Sequence, residues 1–140
     1  YWAKYCVSRD PVLNSIDELG TALRKGRAAI DSANYDVRDT AITEVRMAWE
    51  KLTAGLAIHY LNLSMDNISD DLMRNHALSE AYALIDGLIY NEERSISQSE
   101  IQTILDTIGE NFYEVTTTNL QSARDQLASI TGLEDLKTIL

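Results

Sequence analysis

The chain has 140 residues, 45% of them apolar, with one proline and six glycines, which excludes a disordered or fibrous polymer and gives enough length for one packed core. Acidic residues number 22 and basic residues 12, a formal charge of −10 that repels phosphate backbones and anionic lipid heads, so nucleic-acid binding is not expected. A single cysteine, Cys6, rules out an internal disulfide and a thiolate zinc site, and no apolar run is long enough to cross a bilayer.

The pattern is helical from the start. Tyr1 to Cys6 has no cap before it, and Tyr1 with Tyr5, or Trp2 with Cys6, would stack on a helix face. The segment reads as the tail of an element that begins outside the chain, with Cys6 as a small core residue. No leader segment opens the sequence, which begins at Tyr1, so a processed chain or a fragment is expected. Asp10-Pro11 predicts a helix start, because Asp caps free N–H groups and Pro fits the first turn. That first long helix is expected to reach about Ala33, with Leu13, Ile16, Leu19, Leu23 and Ile30 on its core face; Asn14 with Asp17 offers a second start. Arg24, Lys25 and Arg27 form a small basic cluster without interleaved aromatics and read as a solvated face.

Asn34-Tyr35-Asp36 predicts a tight connection, with Asp36 capping the next helix. Ile42, Val45, Trp49, Leu52, Leu56, His59 and Leu63 then alternate steps of three and four, the most regular apolar face in the chain. After a polar loop, Ser69 is expected to cap a third helix reaching about Tyr90, with Met73, Ala77, Leu84 and Leu88 inward. Ser97 to Glu100 is a capping box ahead of Ile101, Ile104, Leu105 and Ile108. Phe112, Tyr113 and Val115 read as an irregular segment, Thr118 to Gln121 as a second capping box, and Gly132 as a left-handed helix end. Leu133 to Leu140 is expected to add one short helix. Short connections between amphipathic helices predict an all-α, antiparallel up-and-down bundle of four to six helices, one domain over residues 1–140.

Motifs that carry chemistry are scarce. There is no His-Glu-x-x-His, no Glu-x-x-His pair, no phosphate loop and no Gly-x-Ser-x-Gly elbow, and the acidic loop at Asp66 to Asp71 lacks the glycine and oxygen ligands of a calcium loop. His76 and Glu80 stand one helical turn apart, a spacing at which imidazole and carboxylate share a metal ion, hydrogen-bond each other, or face solvent. His59, on the apolar face, is either a third ligand or a core histidine with one partner. Trp49, Tyr60 and Tyr82 are candidate pocket aromatics, although such spacing more often serves a core.

Trp49-Glu50-Lys51, His59-Tyr60-Leu61-Asn62, His76-Ala77-Leu78-Ser79-Glu80-Ala81-Tyr82 and Asn111-Phe112-Tyr113-Glu114-Val115 together resemble an uncharacterised family of lipoprotein-like bacterial envelope proteins, distantly similar to imelysins. The resemblance covers essentially the whole chain, as the C-terminal part of a longer protein. It implies an imelysin-like bundle, a location in the periplasm or on the outer surface with a lipid anchor in the full-length protein, and a link to iron or zinc. Imelysins carry Gly-x-His-x-x-Glu. Only His76 matches here: Arg74 holds the glycine position, Ser79 the glutamate position, and Glu80 arrives one residue late, about 100° further around the helix.

Three functions stay open on these grounds. The first is a non-catalytic envelope protein that binds a partner, the remaining N-terminal part of its own protein, or an Fe or Zn ion for uptake. A metal-dependent peptidase is the second, built on His76, Glu80 and at least one further ligand such as His59. The third is a structural interaction module working through an exposed apolar patch.

Overall fold

The computed structural model describes residues 2–140, so the Tyr1–Tyr5 pairing lies outside the described residues. Six α-helices follow one another: α1 (Trp2–Leu13), α2 (Ser15–Asp31), α3 (Tyr35–Asp66), α4 (Asp71–Gly87), α5 (Gln98–Ile108) and α6 (Thr117–Thr131), with one 3-10 turn at Leu88–Tyr90 after α4. The all-α bundle expected from the sequence is the fold observed.

Helix boundaries follow cap chemistry, in places shifted by one or two residues. Asp10-Pro11 does not start a helix. Pro11 sits in the last turn of α1, and the chain breaks at Asn14, whose φ of 54° is left-handed. The Asp10 carboxylate still serves as a cap across that break, accepting the Ile16 N–H at 2.7 Å near the start of α2. Asn34, not Asp36, caps α3; Asp70, not Ser69, caps α4; Thr116, not Thr118, caps α6. The Ser97–Glu100 capping box and the left-handed Gly132 (φ 70°) form as expected. Beyond Gly132 the chain makes successive turns, not a further helix.

α3, 32 residues long, organises the molecule. Every residue from Leu52 to Ile58 is buried, because α1, α4 and α6 all pack on this half of the helix. A helix enclosed on all sides needs no single apolar face. That corrects the expected stripe: Leu52 and Leu56 are core, whereas Ile42 and Trp49 are exposed. Gly55 lets α1 approach, since a Cβ there would lie 2.7 Å from Leu13 Cδ1. On α4 the buried face runs through Ala77, Leu78, Ala81 and Ile85, leaving Met73 exposed.

The first half of α3 lives differently. Its neighbour is α2, which packs on α3 and α1 alone among the helices. The two run antiparallel, since Gly26 approaches Ala41, Lys25 Nζ reaches Glu44 at 2.6 Å, and Lys51 Nζ reaches Glu18 at 2.7 Å. The result is a helical arm projecting from the bundle.

Candidate functional site

The metal candidates come first. His76 is exposed and Glu80 half-buried on α4, and His59 lies on α3. Among the described residues no three His, Cys, Asp or Glu side chains gather as a metal ion would require. Arg74, at the motif's glycine position, is buried; its Nη1 donates to the Ile68 carbonyl at 2.7 Å and its Nη2 lies 2.7 Å from the Asp71 carboxylate. The position therefore fastens the α3–α4 loop.

His59 belongs to a polar seam that holds down the C-terminal turns. Its Nδ1 lies 2.8 Å from the Leu140 carbonyl and 3.2 Å from Arg9 Nη1. One nitrogen cannot donate to the carbonyl and accept from the guanidinium at once, so the two contacts belong to alternative tautomers. Asn62, one turn on, donates to the Lys137 carbonyl at 2.8 Å and accepts from Arg124 at 3.2 Å. Asp125 binds both Arg124 (2.9 Å) and Lys137 (3.1 Å). Burial raises the Asp125 pKa, but these two cations outweigh it and hold the carboxyl below its ordinary range.

Among the aromatics, the Tyr60 hydroxyl meets the Tyr5 hydroxyl at 2.8 Å, and Tyr82 packs against Phe112 at 5.8 Å between ring centres. These contacts join α1 to α3 and α4 to the α5–α6 connection, while Trp49 lines a separate cleft with Trp2 and the end of α4. Cys6 is half-buried, and burial pushes its thiol pKa up, away from a reactive thiolate.

Glu50 carries chemistry the sequence reading passed over. It is buried, and its carboxylate accepts the Ser95 N–H at 2.8 Å and the Ser95 hydroxyl at 2.6 Å. Arg46, one turn earlier, pairs with Glu92 and Glu93. Together they fasten the loop between α4 and α5 to the middle of α3. Beside them opens a cleft of about 670 Å³ between α2, α3 and the end of α6, edged by Asp17, Glu18, Glu44 and Glu93 over an apolar floor that includes Ala48 and Leu133. Lys51 and Lys25 neutralise Glu18 and Glu44 there.

The other side of the arm is apolar. Residues seven apart on a helix fall within about 20° of one another. Ile16, Leu23 and Ile30 therefore share one side of α2, and Tyr35, Ile42 and Trp49 share one side of α3. Glu18, Thr21, Glu44, Met47 and Lys51 face the cleft, so both stripes lie on the side away from it. Leu23 is 60% exposed, Ile30 58% and Tyr35 56%. Small residues make the seam between the helices: Ala22, Gly26 and Ala29 against Ala41 and Ala48. Apart from Leu19, which is buried towards the base, the arm buries small side chains and presents large ones. At its base, Trp2 of α1 covers one side of Trp49, with ring centres 5.0 Å apart.

Bundle and arm define an all-helical domain with a broad apolar surface and, among its described residues, no assembled metal centre. The chain belongs to the family described as a domain of unknown function (DUF4856), whose model matches residues 1–134. No curated protein and no solved structure matches it. Among the described residues, no helix is long and apolar enough to cross a membrane.

Proposed function

We propose that this chain is a non-catalytic protein-interaction module whose working surface is the apolar side of the α2–α3 arm. One observation carries the reading: six large apolar side chains, from Ile16 to Trp49, form a continuous stripe on a projecting hairpin whose seam is alanine and glycine. Each is about half exposed, so covering it releases about half of the roughly 1.5–3 kcal/mol that full burial of such a side chain contributes. Monomeric surfaces seldom leave so many contiguous large apolar groups in water. The metal reading lacks comparable support, because no third ligand joins His76 and Glu80 among the described residues.

The bacterial envelope location implied by the resemblance is part of the same proposal, and recovery of the protein with the cytosol on cell fractionation would remove it. The interaction itself is tested with a photo-crosslinking amino acid placed at Leu23 in the native cell. A control goes at Glu114, which is exposed in the α5–α6 connection. Leu23 is expected to give a discrete protein adduct that Glu114 does not. Equal, diffuse labelling at both positions would overturn the reading.

A further inference from the structure

We infer that the occupant of this surface is a second copy of the same chain, the two arms pairing stripe to stripe about a two-fold axis; this rests on the reading above and names its partner. Three observations support it.

The first is register. Both helices carry their large apolar residues seven apart, so the side chains of each stripe recur about every 10.5 Å with spaces between them. The surface with a matching repeat, on two antiparallel helices at the same separation, is the arm itself. Two arms laid face to face make a four-helix arrangement in which each stripe fills the spaces of the other. A two-fold contact of this kind uses one patch twice, and so needs only self-complementarity.

Charge distribution is the second. The chain carries −10, but residues 16 to 49 hold five basic and six acidic side chains, a net −1, which leaves −9 for the remainder. Two copies approaching by any other face bring strongly negative surfaces together, whereas the arms meet almost without repulsion. Arg27 on α2 has no ion pair among the described residues and falls about 40° around the helix from Leu23, so it stands beside the stripe, available to a carboxylate of a facing arm.

Size is the third. From Tyr35 to the level of Ile16 the stripe runs roughly 25 Å and two helices are roughly 20 Å wide, so a pair buries on the order of 1,000 Å². That is the lower bound for a specific interface, and it fits a weak, reversible dimer.

The test is sedimentation of the full chain over a concentration series from about 1 to 300 µM, the micromolar range of weak reversible complexes. The expected result is a shift from the 15.7 kDa monomer toward twice that mass. Leu23→Glu and Ile42→Glu, both exposed in the isolated chain, are expected to keep the helical circular dichroism and remain monomeric throughout. Leu72→Glu, at an exposed leucine on α4, is expected to dimerise like the parent. A chain that stays monomeric at the highest concentration overturns the inference, as does a dimer indifferent to both arm substitutions. The photo-crosslink at Leu23 separates the two levels: an adduct of two identical chains supports both, an adduct with a different protein keeps the interaction reading and overturns self-pairing, and no adduct overturns both.

Discussion

Glu50 places a carboxylate inside the protein, and the donors around it account for its presence. Ser95 gives that carboxylate both its N–H and its hydroxyl. Hydrogen bonds to a charged group contribute about 1.5–3 kcal/mol each way they are removed. Glu50→Ala is expected to lower unfolding free energy by about that amount in urea titration, with Glu50→Gln losing less because one amide oxygen still accepts. Asp125 supplies the pH dependence. Its folded pKa is depressed, so its contribution is fully present above the unfolded value of about 3.9 and is lost as pH falls through the folded value. Glu100 behaves in the same way, its pKa lowered by the Ser97 hydroxyl and then by the Ser97 N–H. Thermal melts between pH 5 and pH 3, a range of roughly one unit either side of the free carboxyl, should therefore fall less steeply for Asp125→Asn than for the parent. Equal slopes would show that the Arg124 and Lys137 contacts do not form in solution.

Among the elements, two glycines make opposite predictions. A methyl at Gly55 meets the buried Leu13, so Gly55→Ala is expected to destabilise by about 1 kcal/mol despite alanine's better helix propensity. At Gly87 nothing lies within 4 Å and φ is helical, at −62°, so Gly87→Ala should stabilise by about 0.4–1 kcal/mol. Chemical denaturation of the pair measures both signs. Local chemistry of this sort is what the sequence discloses best. The Ser97–Glu100 box and the Gly132 end are legible because cap and partner sit within a few residues. Pro11 misleads because a proline fits a first turn readily, and only the docking of Leu13 on Gly55 reveals that α1 continues through it. Ile42 and Trp49 mislead for another reason. Periodicity identifies an apolar side but not which way it faces, so a stripe left uncovered reads as core. The same limit governs the candidate site. The turn of helix between His76 and Glu80 is visible in the sequence, but whether a third ligand arrives depends on which helix lies opposite.

At the scale of the whole molecule, stability should be graded along α3. The half from Leu52 to Ile58 is enclosed by α1, α4 and α6, while the stretch from Tyr35 to Glu44 packs on α2, through alanine and glycine and the Lys25–Glu44 ion pair. Local opening costs least where few apolar contacts must break. Hydrogen exchange in the isolated chain is expected to be fastest at the turn end of the arm, around Ile30 to Val37, and slowest at Leu52 to Ile58. Uniform protection along α3 would mean the arm is covered in solution, and dilution below the dimer's dissociation constant should then restore the gradient.

Because α2 packs on no helix but α1 and α3 among the described residues, the tip of the hairpin stands clear of the other helices. Excising one heptad from each of its helices, or inserting one, would move the tip by about 10.5 Å per step while leaving every side chain pointing the way it did before. Reach of this kind is an adjustable dimension, set like the length of a tool handle and independent of the grip behind it.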